Sequence, residues 1–210
     1  MTTRARTPTI AVHGMTREAF LLRSTLAAGA ASGALSATSL VARALAQSGG
    51  TDGDVDVVNY ALTLEYLEAA FYTAAVRRVG GLSADERHLA RTLRDHETAH
   101  VDALTATVKS LGGTPAARPT FDFGTAFADP DAFLKTANAL EDTGVSAYNG
   151  AAATIESRRV LVAIAGIVQV EARHAALVRL ARDKPAAPLS FDKESTMEDV
   201  LASVAPFIKA

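Results

Sequence analysis

From residue 54 onward, apolar side chains recur every three or four positions in four long blocks, the spacing of a helix with one buried face. The first block predicts a helix over residues 54–79, stopped by Gly80-Gly81, since glycine ends helices readily. The second opens on Ser83-Ala84-Asp85-Glu86, a capping box, and runs to Leu111 before Gly112-Gly113. The third has Asp129 as N-cap and Pro130 at the first helical position, the residue types those positions favour. It runs to about Asn149. The fourth spans about 157–182 and ends at Lys184-Pro185, and a short last helix over about 197–204 precedes Pro206. The links after the first and third helices are short, which makes each pair antiparallel neighbours. The link after the second, about 112–128, carries no helical pattern. A link of that length lets the third helix start at the far end of the bundle, parallel to the second. The expectation is an all-α four-helix bundle with one long crossover and a short extra C-terminal helix.

Each apolar stripe is interrupted near its middle by an ionisable residue. In the second helix the stripe is Leu89, Leu93, Leu104, Val108 and Leu111, with Glu97 and His100 in its gap. In the fourth it is Ile164, Ile167, Val178 and Ala181, with Glu171 and His174 in the gap. Both gaps read Glu-x-x-His, and residues three apart share a helix face. The third helix has Phe133, Ala137, Val145 and Tyr148 around Glu141, and the first has Ala61, Leu64, Phe71 and Ala75 around Glu65 and Glu68. Buried carboxylates are costly unless paired or metal-bound. Two histidines cannot neutralise them all, whereas two divalent cations can. One Glu from each of two helices and Glu-x-x-His from each of the other two is the donor set of di-iron and di-manganese bundles. A single Glu-x-x-His occurs by chance in helical chains; two, each central on a core face, do not read that way. The competing reading is a set of salt-bridged or surface residues.

Other polar residues carry less. His88 and His96 fall off the stripe and read as surface histidines. Tyr72 and Tyr148 lie on core faces, either packing with one satisfied hydroxyl or bonding to a ligand carboxylate or supplying an electron. Asp95 and Asp142 flank candidate donors in sequence but point elsewhere. Phe121-Asp122-Phe123 in the crossover reads as a hydrophobic clasp over the bundle end.

Composition narrows the chemistry. The formal net charge is −2 with no strongly basic stretch, so nucleic acid is not an expected partner. There is no cysteine, which removes iron–sulfur clusters and thiolate sites. Any metal must be held by carboxylates and histidines. The three methionines are Met1, Met15 and Met197, none on the four long helices, so a haem held by bundle methionines is not expected.

Residues 1–46 differ from the rest. Arg4, Arg6 and Arg17 precede an Ala/Gly/Ser-rich apolar stretch that ends in Ala44-Leu45-Ala46, the order of parts in an export signal. Thr16-Arg17-Glu18-Ala19-Phe20-Leu21 resembles a twin-arginine signal with Glu18 in place of the second arginine. The division expected is a leader over 1–46, a linker over 47–53 and a bundle domain over 54–210, with a periplasmic or secreted location. The alternative is an uncleaved membrane anchor over 24–42.

Four phrases carry a family resemblance: Asn59 through Tyr72, His100-Val-Asp-Ala-Leu104, Ala139 through Tyr148, and Val170-Glu-Ala-Arg-His-Ala175. Residues 55–182 resemble the ferritin-like domain family that includes desiccation-related proteins. The resemblance implies a ferritin-like bundle with two iron or two manganese ions on Glu65, Glu97, His100, Glu141, Glu171 and His174. Glu-x6-Tyr around Glu65 and Tyr72 is similar to the first helix of bacterioferritin-like proteins, which favours Glu65 over Glu68 as that helix's donor. Tyr72 and Tyr148 then stand beside the donors.

Two functions follow. One is an oxidoreductase reacting with O2 or peroxide (ferroxidase, peroxidase or catalase-like) under oxidative or desiccation stress. The other is a non-catalytic metal-binding or stress-protective structural protein. The complete donor set favours the first. Homo-oligomerisation is possible, and a membrane contact is expected only if the leader is retained.

Overall fold

The computed structural model describes residues 53–209. The expected leader, and the linker up to residue 52, lie outside the described residues. Four long helices form: α1 (Gly53–Arg78), α2 (Ala84–Ser110), α3 (Pro130–Ala152) and α4 (Arg158–Ala181). A short α5 (Met197–Val204) runs into a 3-10 turn at Ala205–Phe207.

The caps form as the sequence implies. Glu86 N–H donates to Ser83 Oγ at 3.2 Å while Ser83 N–H donates to the Glu86 carboxylate at 2.7 Å, closing the capping box. Asp129 accepts from Ala132 N–H at 2.8 Å. The start of α4 is held from another helix: Asp54 of α1 accepts from Glu156 N–H at 2.8 Å and Ser157 N–H at 2.7 Å.

Two boundaries depart from expectation. α3 continues through Gly150 to Ala152 rather than ending near Asn149. Gly150 is no breaker here; a Cβ at that position would lie 1.9 Å from the Ser195 carbonyl oxygen. The glycine lets the segment before α5 lie against α3, where Ser195 N–H donates to Ser146 O at 3.0 Å. On α4, Ala181 is exposed, so the buried stripe ends at Val178.

The short links make α1–α2 and α3–α4 the closely packed pairs. Phe71 of α1 stacks on Phe133 at the start of α3, and Asp54 at the start of α1 meets the residues after α3. α1 and α3 are therefore antiparallel, and the crossover returns the chain along the bundle. It runs over the outer side of α1. Asn59 donates to Thr114 O at 3.1 Å and accepts from Ala116 N–H at 2.7 Å, and Phe71 meets Phe123 and Phe127 with ring centroids 5.3 and 5.2 Å apart. This covering buries α1 on most sides, where periodicity alone implied a single stripe. Phe123 also packs on Phe207, and Phe121 bridges to Ile208, so the crossover and the segment after α5 close one bundle end together.

The apolar core falls into two clusters. One contains Phe71, Leu93, Phe133 and Val178; the other contains Leu62, Leu104, Val108 and Ile164. Between them, along each of the four long helices, lies a buried polar layer.

Candidate metal centre

That layer contains all six residues expected from the sequence. Glu65, Glu97, Glu141 and Glu171 are each 0% exposed, His174 1% and His100 8%. Their donor atoms form two overlapping groups, each with all atoms within 4.8 Å of one another: Glu65, Glu97, His100 and Glu171 in the first, Glu97, Glu141, Glu171 and His174 in the second. Glu97 and Glu171 belong to both. They come from α2 and α4, the helices with the Glu-x-x-His pairs.

The contacts cross between helices. His100 Nδ1 lies 3.0 Å from both Glu97 and Glu171 and 3.2 Å from Glu65. One imidazole N–H cannot serve three carboxylates. His174 Nδ1 lies 2.9 Å from Glu97 Oε1, 3.5 Å from Glu141 Oε2 and 3.7 Å from Glu171 Oε2. Despite that proximity, His174 Nδ1, Glu97 Oε1, Glu141 Oε2 and both Glu171 oxygens make no aligned hydrogen bond. Buried polar atoms without a partner are rare. Here they cluster and face one another, as atoms do when their lone pairs converge on a cation.

The outward oxygens are satisfied. Tyr72 of α1 donates to Glu141 Oε1 of α3, and Tyr148 of α3 donates to Glu65 Oε1 of α1. Each phenol fixes one oxygen and leaves the other turned inward. Burial, with Glu141 adjacent, pushes the Tyr72 hydroxyl well up, and burial with Glu65 adjacent does the same to Tyr148. Both stay neutral donors.

Electrostatics point the same way. Burial, with Glu171 nearby, pushes Glu65 well above the usual carboxylate range, and Glu68, 3% exposed, follows for the same reasons. Burial and the charges of Glu171 and Glu97 outweigh His174 and raise Glu141 to about 8. For Glu97 burial pushes upward too, but His100 and His174 prevail and hold it at about 2. Burial disfavours charge on the histidines, yet Glu171, Glu65 and Glu97 lift His100, and Glu141, Glu171 and Glu97 lift His174, each to about 12. Without cations the layer holds extra protons because five buried carboxylates exceed two imidazoles. Divalent cations can replace those protons. Hard carboxylate and borderline imidazole donors suit iron or manganese.

Residues 53–184 match the family described as Ferritin-like domain, more than half of the 210 residues. The chain belongs to the ferritin-like domain family. No curated protein gives a significant match. The bundle, the buried Glu/His layer and the family together make this a ferritin-like domain with a cluster compatible with a di-metal site.

One participant escaped sequence reasoning. His96 is exposed as expected, but its Nδ1 lies 2.9 Å from His174 Nε2. In the tautomer that leaves His174 Nδ1 free for a cation, Nε2–H donates to His96, the outer hydrogen bond that metal-binding histidines usually have. His96 lies one turn before His100, and that spacing was the only available signal. His88 is exposed and lies away from the donors. Asp142 pairs with Arg179 and Asp95 with Arg94, away from the layer.

His96, Ala99, His100, Val170, Arg173 and His174 line a cleft of about 370 Å³ between α2 and α4. It is the approach to both imidazoles. A larger cleft of about 610 Å³ near Ser83, Leu89 and Leu177 contains none of the donors.

Proposed function

We propose that this protein is an exported ferritin-like oxidoreductase whose paired iron or manganese ions react with O2 or peroxide in defence against oxidative or desiccation stress. The observation carrying this reading is the pair of four-donor groups sharing Glu97 and Glu171. Glu65 and His100 would complete one position, Glu141 and His174 the other. When bound, two such ions supply paired redox centres and Lewis acidity.

The chain's own residues supply the rest. Tyr148 and Tyr72 orient Glu65 and Glu141, and His96 orients His174. The flanking apolar clusters keep bulk water from the layer, which strengthens every charge interaction in it. The cleft between α2 and α4 admits a small reactant at the imidazole edge. Export rests on the order of parts in residues 1–46.

The test is metal content by mass spectrometry, followed by ferrous oxidation under O2 for an iron protein or oxygen release from peroxide for a manganese protein. About two ions per chain with turnover is the expected result. Two ions without turnover would instead assign a metal-holding or structural role, and a well-folded protein that takes up neither ion would sink the reading.

A further inference from the structure

The two halves of the site are related by a pattern in the chain. Glu65 and Tyr72 are seven residues apart on α1, and Glu141 and Tyr148 are seven apart on α3. Each tyrosine bonds the other helix's glutamate. Likewise His100 approaches Glu171 at 3.0 Å and His174 approaches Glu97 at 2.9 Å. The halves are thus near-equivalent, with one exception. In the register that equates Glu65 with Glu141, Glu68 corresponds to Gly144.

Glu68 is 3% exposed, and it makes no hydrogen bond or ion pair among those found for the described residues. A Cβ built on Gly144 would lie 3.2 Å from Glu68 Oε1 and 3.6 Å from Glu171 Oε2. The absent side chain leaves the space that the Glu68 carboxylate fills. The Glu171 oxygen beside Gly144 is the one 3.7 Å from His174 Nδ1, whereas His100 faces the other oxygen, and the charge of Glu141 acts on Glu68 more strongly than that of Glu65. Glu68 therefore lies toward Glu141 and His174, outside both groups of donors.

Resting on the di-metal reading, we propose that Glu68 is a fifth acidic donor reserved for the Glu141–His174 position, and that it makes the two metal positions unequal. Four carboxylates balance two divalent cations. The fifth adds a negative charge on one side only, so that position binds its cation more tightly and favours a cation of higher charge. Gly144 is the residue that gives Glu68 room.

Cobalt(II) titration followed by visible absorption tests this, because band intensity reports coordination at each position. Glu65→Ala and Glu141→Ala each leave one position intact. Adding Glu68→Gln should weaken the position left in Glu65→Ala by roughly 10- to 100-fold, the usual effect of losing a supporting group, and alter its bands. The same addition to Glu141→Ala should leave affinity within about threefold. Gly144→Ala alone, with Glu68 intact, should reproduce the weakening at the Glu141–His174 position. Equal effects in the two backgrounds, or none in either, overturn the proposal while the di-metal reading stands. Failure of the unmodified protein to bind cobalt overturns both.

Discussion

Tyr148 on α3 donates its hydroxyl hydrogen to Glu65 on α1, so a donor carried by one helix is aimed by another. The exchange is mutual, since Tyr72 on α1 does the same for Glu141 on α3. Tyr148→Phe keeps the packed ring and removes only the aiming group. Metal affinity should fall by roughly 10- to 100-fold, measured by competition with a coloured chelator, with helical circular dichroism unchanged. Unchanged affinity would mean Glu65 holds its place by packing alone.

Sharing predicts an uneven pattern of loss. Glu97→Ala removes a donor common to both groups and should reduce bound metal from about two ions per chain to near none. His174→Ala touches one group and should leave about one. Mass spectrometry of the purified variants reads both. Equal losses would contradict the shared role of Glu97.

His96 provides a separate handle because it is exposed. His96→Ala should fold with normal stability yet weaken metal binding by about tenfold or more, the effect expected on losing the outer bond of a metal-binding histidine. An unchanged binding isotherm would reduce His96 to a surface residue.

The cation-free protein should lose stability as pH rises. Glu141 releases its proton near 8 in the folded chain against an ordinary 4.5, and both histidines near 12 against 6.5. The folded state therefore holds more protons than the unfolded one from about pH 4.5 upward, and the linkage sign makes stability fall with pH. Glu97 acts oppositely, its contribution present above 4.5 and lost toward 2. Thermal melts in chelator from pH 5 to 9 should show a falling midpoint. Saturating metal should flatten or reverse the trend, because the cations take the places of the protons.

Gly150→Ala tests the docking of the C-terminal segment. The new Cβ would meet the Ser195 carbonyl and force residues around 195 off α3. A loss of about 1–3 kcal/mol is typical of such overpacking, readable by urea denaturation. No loss would show the segment docks loosely.

Much of this was legible in the chain because it is locally encoded. Ser83 with Glu86, Asp129 with Pro130, and the glycine pairs mark helix ends through bonds made within a few residues. The donors showed as polar gaps in apolar stripes, which needs only helical periodicity. What stayed hidden depends on distant partners. Nothing near Gly150 in sequence reveals that Ser195 lies over it. The burial of α1 on most sides comes from the crossover pinned by Asn59, which a stripe cannot report. His96 sits off the core face and gains its importance only because α4 brings His174 beside it. Periodicity puts both Glu65 and Glu68 on the core face and cannot show that Glu65 falls within a four-residue group while Glu68 lies against Gly144.

The crossed bonds of the polar layer have a consequence for how the molecule assembles. Each helical hairpin, α1–α2 and α3–α4, is built from neighbours in sequence and can form early. The layer is where the hairpins read each other: Tyr72 with Glu141, Tyr148 with Glu65, His100 with Glu171, His174 with Glu97. Docking of the two hairpins completes the layer, and on the proposed di-metal reading bound cations would latch the hairpins together. On that reading, loading would double as a check on folding, since a chain that has mis-docked its hairpins has no site to fill.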